Sequence, residues 1–269
     1  TGWRGSLSGR EVQANFRPAL GFVSRDNVRQ YAGQAGYTLR FNNPVLRSVF
    51  SGIDAQRVNV LGGGLQSKNI VFRVAELENN TGDELTFRVE SVEENLTEDF
   101  EISAGILIAE DDYSFTQAEV SIETAAQRRA DISASYRFGD FYDGDITSTS
   151  VAVNWRPSKN YSLGVSYSQD EVDLVNGSFT TKLASGQVDI VLSNAISWVN
   201  LIQYDNVSES IGFNSRLQWT PRAGQNFFFV VNQNYVEELD NPLSANSSST
   251  SFRSDASDIT VKFDYTYRF

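Results

Sequence analysis

The sequence predicts an all-β protein, a transmembrane antiparallel up-and-down β-barrel of about 14 strands. Apolar and polar residues alternate almost without interruption from Val28 to Phe269, as in strands whose two faces meet different environments. The alternating segments span about ten residues or more, whereas strands in soluble sandwiches usually have about 5 to 6. No segment shows the helical period of about 3.6 residues.

The predicted strands follow one another with turns between them. They run over residues 28–41, 45–61, 69–77, 84–90, 100–108, 113–125, 129–138, 150–156, 161–168, 179–192, 196–204, 211–219, 227–235 and 257–269. Turns are expected where Asn, Gly, Pro and Asp cluster, as at 42–44, 62–64, 79–83, 110–112, 157–160 and 221–224. The segment 100–108 is predicted to be one strand, because Phe100, Ile102, Ala104, Ile106 and Ile108 alternate with Glu101 and Ser103.

The last segment shows the pattern most clearly. Its apolar positions are Ile259, Val261, Phe263, Tyr265, Tyr267 and Phe269, and its polar positions are Asp258, Thr260, Lys262, Asp264, Thr266 and Arg268. An aromatic face of this kind suits the girdle of a membrane barrel, while on a soluble edge strand it would promote aggregation. The aromatic C-terminus resembles the terminal strand of bacterial outer-membrane barrels, which implies recognition by the barrel-assembly machinery.

Residues 1–27 are predicted to be an irregular N-terminal segment able to plug the barrel, and residues 28–269 to be the outer-membrane β-barrel itself. Glycines at positions 2, 5, 9 and 21 and Pro18 interrupt any long pattern, and a short strand is expected near Glu11–Phe16. The chain begins at Thr1 and contains no Met, so we expect a processed or trimmed product.

Composition excludes several classes of protein. The net charge of −12 argues against a nucleic-acid partner, because phosphate binding requires a basic surface. The absence of Cys excludes disulfides and thiolate chemistry. Mean hydropathy is −0.33 and no apolar run approaches the roughly 18 residues of a membrane helix, whereas a barrel hides its apolar residues in alternation.

Charged residues on the polar faces are the candidates for lining a lumen. They are Arg88, Arg129, Asp131, Arg137, Arg216, Asp258, Lys262, Asp264 and Arg268, with Glu84 and Glu90 as further partners. Such residues either brace the wall through salt bridges or form a charged constriction that selects solutes. The membrane-interface aromatics are Trp155, Tyr161, Tyr167, Trp219, Tyr265, Tyr267 and Phe269.

The chain offers little catalytic chemistry. It has no His, which removes Ser-His and Cys-His catalysis and His-ligated metals. The carboxylate pairs 93–94, 111–112 and 237–238 fall in turn-like segments, and the spacing of Asp140, Asp143 and Asp145 lacks the full calcium-loop pattern. We therefore expect no enzyme, no cofactor and no metal.

Several stretches resemble an uncharacterised family of bacterial outer-membrane proteins. They are Gly21–Arg25, Gly139–Gly144, Gln203–Asn206, Asn214–Trp219 and the continuation Pro221–Asn232. In that family a periplasmic carbohydrate-binding-type module of family nine precedes a C-terminal barrel, and the resemblance implies that this chain is similar to the barrel part.

The expected location is the bacterial outer membrane, in contact with lipid and lipopolysaccharide. With Phe269 at the periplasmic rim, the turns at 157–160 and 221–225 are periplasmic, and the loops at 139–145, 173–177 and 237–254 are external. The expected function is a passive pore or transport channel for small or glycan-derived solutes, with a lumen partly occluded by residues 1–27 or the loop near Asn246. The alternatives are an anchoring barrel that holds a periplasmic module or partner protein, and a soluble all-β carbohydrate-active domain.

Overall fold

The computed structural model describes residues 1–19, 21, 23–238 and 251–266. These residues form 16 strands joined by turns and loops. The strands are β1 (Gly2–Val12), β2 (Val28–Arg40), β3 (Leu46–Val60), β4 (Leu65–Asn79), β5 (Glu84–Asn95), β6 (Phe100–Ser103), β7 (Ile106–Ile108), β8 (Asp112–Glu123), β9 (Ala130–Phe141), β10 (Gly144–Ser158), β11 (Tyr161–Leu174), β12 (Gly177–Ser193), β13 (Ile196–Asp205), β14 (Ser210–Arg222), β15 (Gln225–Glu238) and β16 (Ser251–Tyr265). Across the described ranges, no helix is long and apolar enough to cross a membrane.

Fourteen of the strands form one large antiparallel sheet, which confirms the predicted all-β class. The number of strands equals the predicted one, although β1 belongs to the sheet and the segment 100–108 does not. Each strand lies beside its neighbour in sequence, except that β5 pairs with β8. The two strands between them, β6 and β7, form a separate two-stranded sheet. The sheet is thus a meander interrupted once, after Asn95.

The N-terminal segment differs from the prediction. Residues Gly2–Val12 form the regular strand β1, which pairs with β2 from Gly2 opposite Thr38 to Val12 opposite Val28. Glycines do not break this strand, because glycine keeps the backbone N–H and C=O groups that form the ladder with β2. The predicted short strand at Glu11–Phe16 is therefore wrong, and the irregular part of the described segment begins only after Val12.

The segment 100–108 was predicted to be one strand of the wall, and this prediction is also wrong. Phe100–Ser103 and Ile106–Ile108 form an antiparallel hairpin with its turn at Ala104 and Gly105. Gly105 has a φ of +77°, a conformation that glycine adopts without steric cost. We call residues 96–111, which contain this turn, the inserted hairpin.

The chain divides into two compact units. The first unit contains residues 1–125, 134–149 and 170–180, and the second contains residues 126–133, 150–169 and 181–269. Strands β9 to β12 contribute residues to both units.

Register defines two faces of the sheet in the first unit. Arg73 lies opposite Arg88, and Arg88 lies opposite Glu119, so these three residues share one face, which we call the polar face. The other face carries Phe72 and Phe87, both exposed. This separation follows from strand geometry, because successive side chains point to opposite faces.

The second unit shows the same separation of faces. Trp219 lies opposite Phe227, and Phe227 lies opposite Phe263, so aromatic residues form a row across three strands. On the other side of these strands, Asn214 lies opposite Asn232, and Asn232 lies opposite Asp258. In this unit we call the side with Asn214, Asn232 and Asp258 the polar face and the side with the aromatic row the apolar face.

Candidate functional site

A network of charges covers the polar face of the first unit. Arg73 forms an ion pair with Asp54 at 2.5 Å and a longer one with Glu76 at 3.8 Å. Arg88 pairs with Glu119 on the neighbouring strand at 2.6 Å. Each arginine holds a carboxylate from a different strand, so these pairs brace the sheet across its strands. Arg88 was predicted to lie here, but its partner is Glu119 rather than Glu84 or Glu90.

The aromatic ring of Phe50 lies among these charges. The guanidinium carbons of Arg4 and Arg73 lie 3.9 Å and 5.0 Å from the ring centroid of Phe50. Gly36 and Gly52 are paired across β2 and β3, and a Cβ atom added to either would lie 2.3 Å or 2.6 Å from the Phe50 ring. The two glycines thus make room for a ring that lies close to the backbone and contacts two guanidinium groups.

The predicted polar residues of the second unit are partly brought together. Asp131 accepts hydrogen bonds from Arg156 and from Asn154 Nδ2, the latter at 2.9 Å. Arg156 also donates to the carbonyl of Ala126 at 2.6 Å and so fixes the turn before β9. Arg129 lies exposed in that turn and not on a strand, which corrects its predicted place on the polar face.

The remaining lumen candidates are dispersed. Arg137, in the first unit, donates to the Ser148 hydroxyl at 3.2 Å. Arg216 is exposed on β14, opposite Val199 and Val230. Asp258, Lys262 and Asp264 occupy one face of β16, with Lys262 and Asp264 paired at 3.1 Å. Arg268 lies outside the described residues.

Large apolar side chains are exposed along the other face of the second unit. The predicted interface residues Trp155, Tyr161, Tyr167, Trp219 and Tyr265 are all exposed, while Tyr267 and Phe269 lie outside the described residues. Exposed aliphatic residues continue the same face, among them Val151, Val153, Val165, Ile202, Ile259 and Val261. The rings of Trp219, Phe227 and Phe263 are in contact, with centroid distances of 5.2 Å and 4.4 Å.

The inserted hairpin forms a compact apolar cluster, which was not predicted. Ile106 and Ile108 are buried against Ile146, Val172 and Leu174, and Ile108 has no exposed surface. The side chain of Asn176 also donates to the backbone carbonyl of Leu107 at 3.1 Å. The hairpin is therefore held by both apolar packing and a hydrogen bond.

This cluster lies on the polar face. Ile146 is two residues from Ser148, the hydroxyl that Arg137 contacts, so the two side chains share a face of β10. Phe115 lies on β8 at an even spacing from Gln117 and Glu119, so it shares the polar face with them. Its ring centroid lies 5.7 Å from that of Phe141, which packs against the cluster. The hairpin thus covers the end of the charged face with an apolar surface.

Tyr142 joins the cluster to the charged face. Its hydroxyl donates to Glu94 at 3.0 Å, and its ring contacts those of Phe100, Tyr113 and Phe115. Burial raises the pKa of the Tyr142 phenol well above its ordinary value, and the neighbouring Glu94 carboxylate raises it further. The phenol is therefore held neutral as a hydrogen-bond donor.

Two glycines shape the strand ends that receive the hairpin. A Cβ atom on Gly139 would lie 2.3 Å from the carbonyl oxygen of Thr116, and one on Gly144 would lie 1.9 Å from that of Asp173. Gly139 also has a φ of +144°, which residues with a side chain rarely adopt. The predicted loop at 139–145 is thus shorter in the structure, since β9 ends at Phe141 and β10 begins at Gly144, and neighbouring strands approach closely there.

Among the described residues, no group of three or more His, Cys, Asp or Glu side chains is arranged to hold a metal ion. The Glu93–Glu94 pair lies in strand β5, not in a turn as expected.

No protein-family model matches the sequence, and no curated protein sequence matches it either.

Proposed function

We propose that the sheet closes on itself into a transmembrane β-barrel of the bacterial outer membrane that serves as a passive channel for small or glycan-derived solutes. The observation that carries this proposal is the exposed apolar face. It carries exposed large apolar side chains on strand after strand, whereas soluble monomers rarely expose a contiguous apolar patch of more than a few hundred Å². A hydrocarbon environment removes the cost of exposing it.

The edge strands support closure. The described edges of the sheet are β1 and β16, and Leu7 on β1 is 92% exposed while Val261 on β16 is 71% exposed. Open edges with such residues would pair with other chains. Since the sheet contains an even number of strands in a meander, its first and last strands run in opposite directions and suit antiparallel pairing.

The connections support an orientation. Following the meander, short turns such as 159–160 and 223–224 alternate with connections that include the long segments 13–27 and 96–111. Outer-membrane barrels place short turns in the periplasm and longer loops outside. In the proposed orientation the inserted hairpin is therefore external and folds back over the charged lumen wall.

The inserted hairpin is the proposed constriction of the channel. It carries apolar residues onto a face otherwise lined by arginines and carboxylates, so it narrows the water-filled space. This role replaces the earlier expectation of a plug formed by all of residues 1–27, because residues 2–12 are part of the sheet. The loop near Asn246 lies outside the described residues.

Planar-bilayer conductance tests the channel directly. The amide of Leu96 donates to the carbonyl of Asp111 at 3.0 Å, so residues 97–110 can be replaced by an Asn-Gly turn without separating β5 from β8. We expect steady conductance from the wild type and several-fold higher conductance from the shortened protein. Leu107→Ala is the control, since this side chain is half-exposed and should leave conductance unchanged.

Two outcomes would contradict the proposal. If neither protein conducts although both insert into vesicles, the anchoring barrel that holds a periplasmic module or partner protein is favoured. If the protein remains dissolved without detergent, the membrane assignment is wrong and the soluble carbohydrate-active alternative returns.

A further inference from the structure

A polar cavity of about 390 Å³ lies in the first unit, between the segment after β1 and the polar faces of β2 to β5. Its lining includes the side chains of Arg10, Arg25, Gln30, Gln56 and Asn69. This volume lies at the lower end of the range of about 300–1,000 Å³ typical of small-molecule sites. The cavity suits a ligand of the size of one or two sugar rings.

The two arginines of the cavity keep most of their donors for a ligand. Arg10 Nη2 donates to Gln30 Oε1 at 2.9 Å, and Arg25 Nη1 donates to the Ser67 hydroxyl at 2.8 Å. Both partners are neutral, so neither guanidinium is paired with a carboxylate among the described residues. Each guanidinium carries five N–H donors in a planar fork that matches a carboxylate.

The other charges of the lining are already satisfied. Lys68 is paired with Glu93 at 2.7 Å, and Glu94 accepts the Tyr142 hydroxyl. Lys68 lies opposite Arg57, so its side chain belongs to the other face of the sheet. At the cavity, the cationic side chains are therefore Arg10 and Arg25, and Glu94 is the one carboxylate among the described lining residues. The cavity therefore favours an anion even though the whole chain is acidic.

The neutral side chains add a second kind of recognition. Gln30, Gln56 and Asn69 present amide groups, of which Asn69 Nδ2 already donates to Glu90 at 2.5 Å and leaves its oxygen for a ligand. Together with the hydroxyls of Ser24 and Ser67, these groups suit the hydroxyl groups of a sugar. A neighbouring cavity of about 600 Å³ shares Arg10, Ser24 and Arg25 with the first. It is also lined by Phe16, whose ring is half-exposed and offers a surface for stacking.

We propose that this cavity binds a carboxylate-bearing sugar of the hexuronate class. Arg10 and Arg25 hold the carboxylate, and the amides of Gln30, Gln56 and Asn69 bind the ring hydroxyls. The inference rests on the proposed function only in taking this sugar as a solute of the channel, because binding itself requires no conduction.

Calorimetric titration of the full chain in detergent tests the site with D-galacturonate as the probe. D-galactose tests the need for the carboxylate, and inorganic phosphate tests the need for the sugar. We expect galacturonate to bind at least tenfold more tightly than either comparison ligand, and its affinity to fall with added salt.

Substitution of the arginines provides the second arm. Arg10→Gln and Arg25→Gln should each weaken galacturonate binding about tenfold, as expected for the loss of one charge-assisted contact. The control is Arg57→Gln, which removes the same charge from β3, next to Gln56 but on the opposite face, where Arg57 Nε donates to Asn59. An equal loss in all three variants overturns the site, as does equal affinity for galactose or phosphate.

The two proposals fail separately. A wild-type protein that conducts ions but does not bind galacturonate overturns this inference and leaves the channel standing. A protein that binds galacturonate with the expected dependence on Arg10 and Arg25 but does not conduct supports the site and overturns the channel.

Discussion

Truncation of Ile108 should open the inserted hairpin. Ile108 has no exposed surface, and replacing a buried Ile with Ala costs about 2–4 kcal/mol when the surroundings do not collapse. The hairpin has only two short strands, so its closure depends on this packing and not on its own ladder. We therefore assign the whole loss to the local opening equilibrium of residues 96–111.

Hydrogen exchange measured by mass spectrometry reads this equilibrium directly. A loss of about 2–4 kcal/mol corresponds to exchange roughly 30- to 700-fold faster in peptides from 96–111. Leu107→Ala is the matched control, because Leu107 is 50% exposed on the same strand and its backbone carbonyl, which Asn176 contacts, is retained. Equal acceleration in both variants, or acceleration spread evenly over β13 and β14, would refute the reasoning.

Three further predictions concern other parts of the molecule. Burial raises the pKa of Tyr142, so the neutral phenol stabilises the closed cluster fully below the ordinary tyrosine pKa of about 10, and this stability is lost as pH rises through the higher pKa of the folded state. A titration of tyrosine absorbance at 295 nm should therefore lose its most alkaline component in Tyr142→Phe. An unchanged titration curve would contradict this prediction. Gly139→Ala should lower the free energy of unfolding in lipid by about 1–3 kcal/mol. In the control Gly212→Ala, where an added Cβ meets nothing within 4 Å, the free energy of unfolding should stay nearly unchanged. Equal denaturation midpoints for the two variants would oppose the steric argument. Val165→Arg on the apolar face should make the free energy of folding into vesicles less favourable by about 2–4 kcal/mol if the residue lies at mid-membrane. Ser166→Arg on the polar face should weaken folding less. The reverse order would invalidate the assignment of faces.

Alternation predicted the faces of most strands but not their lateral partners. Asp131 and Arg88 lie beside Arg156 and Glu119, and these partners follow from the register of neighbouring strands. Register depends on turn lengths and bulges, such as the irregularity between Arg73 and Ala75, which alternation does not reveal. The partners of these ion pairs could therefore not be predicted from the alternation of apolar and polar residues.

The inserted hairpin escaped prediction for a different reason. Phe100, Ile102, Ile106 and Ile108 alternate as a wall strand would, because the hairpin also buries one face. Gly105 was the one local signal of a reversal, and a lone glycine in a strand pattern also marks a bulge. Similarly, the glycines of β1 resemble breakers in sequence, although this strand pairs with β2 along its whole length.

The single interruption of the meander has a consequence for the order of assembly. Every pairing in the large sheet except that of β5 with β8 joins strands that are consecutive in sequence, so the sheet can grow hairpin by hairpin with little loop-closure entropy. The inserted hairpin is different, because Ile108 must wait for Val172 and Leu174, which are translated more than 60 residues later. Closure over the charged face therefore follows the synthesis of β11, and chains that have not yet reached Leu174 leave this face uncovered.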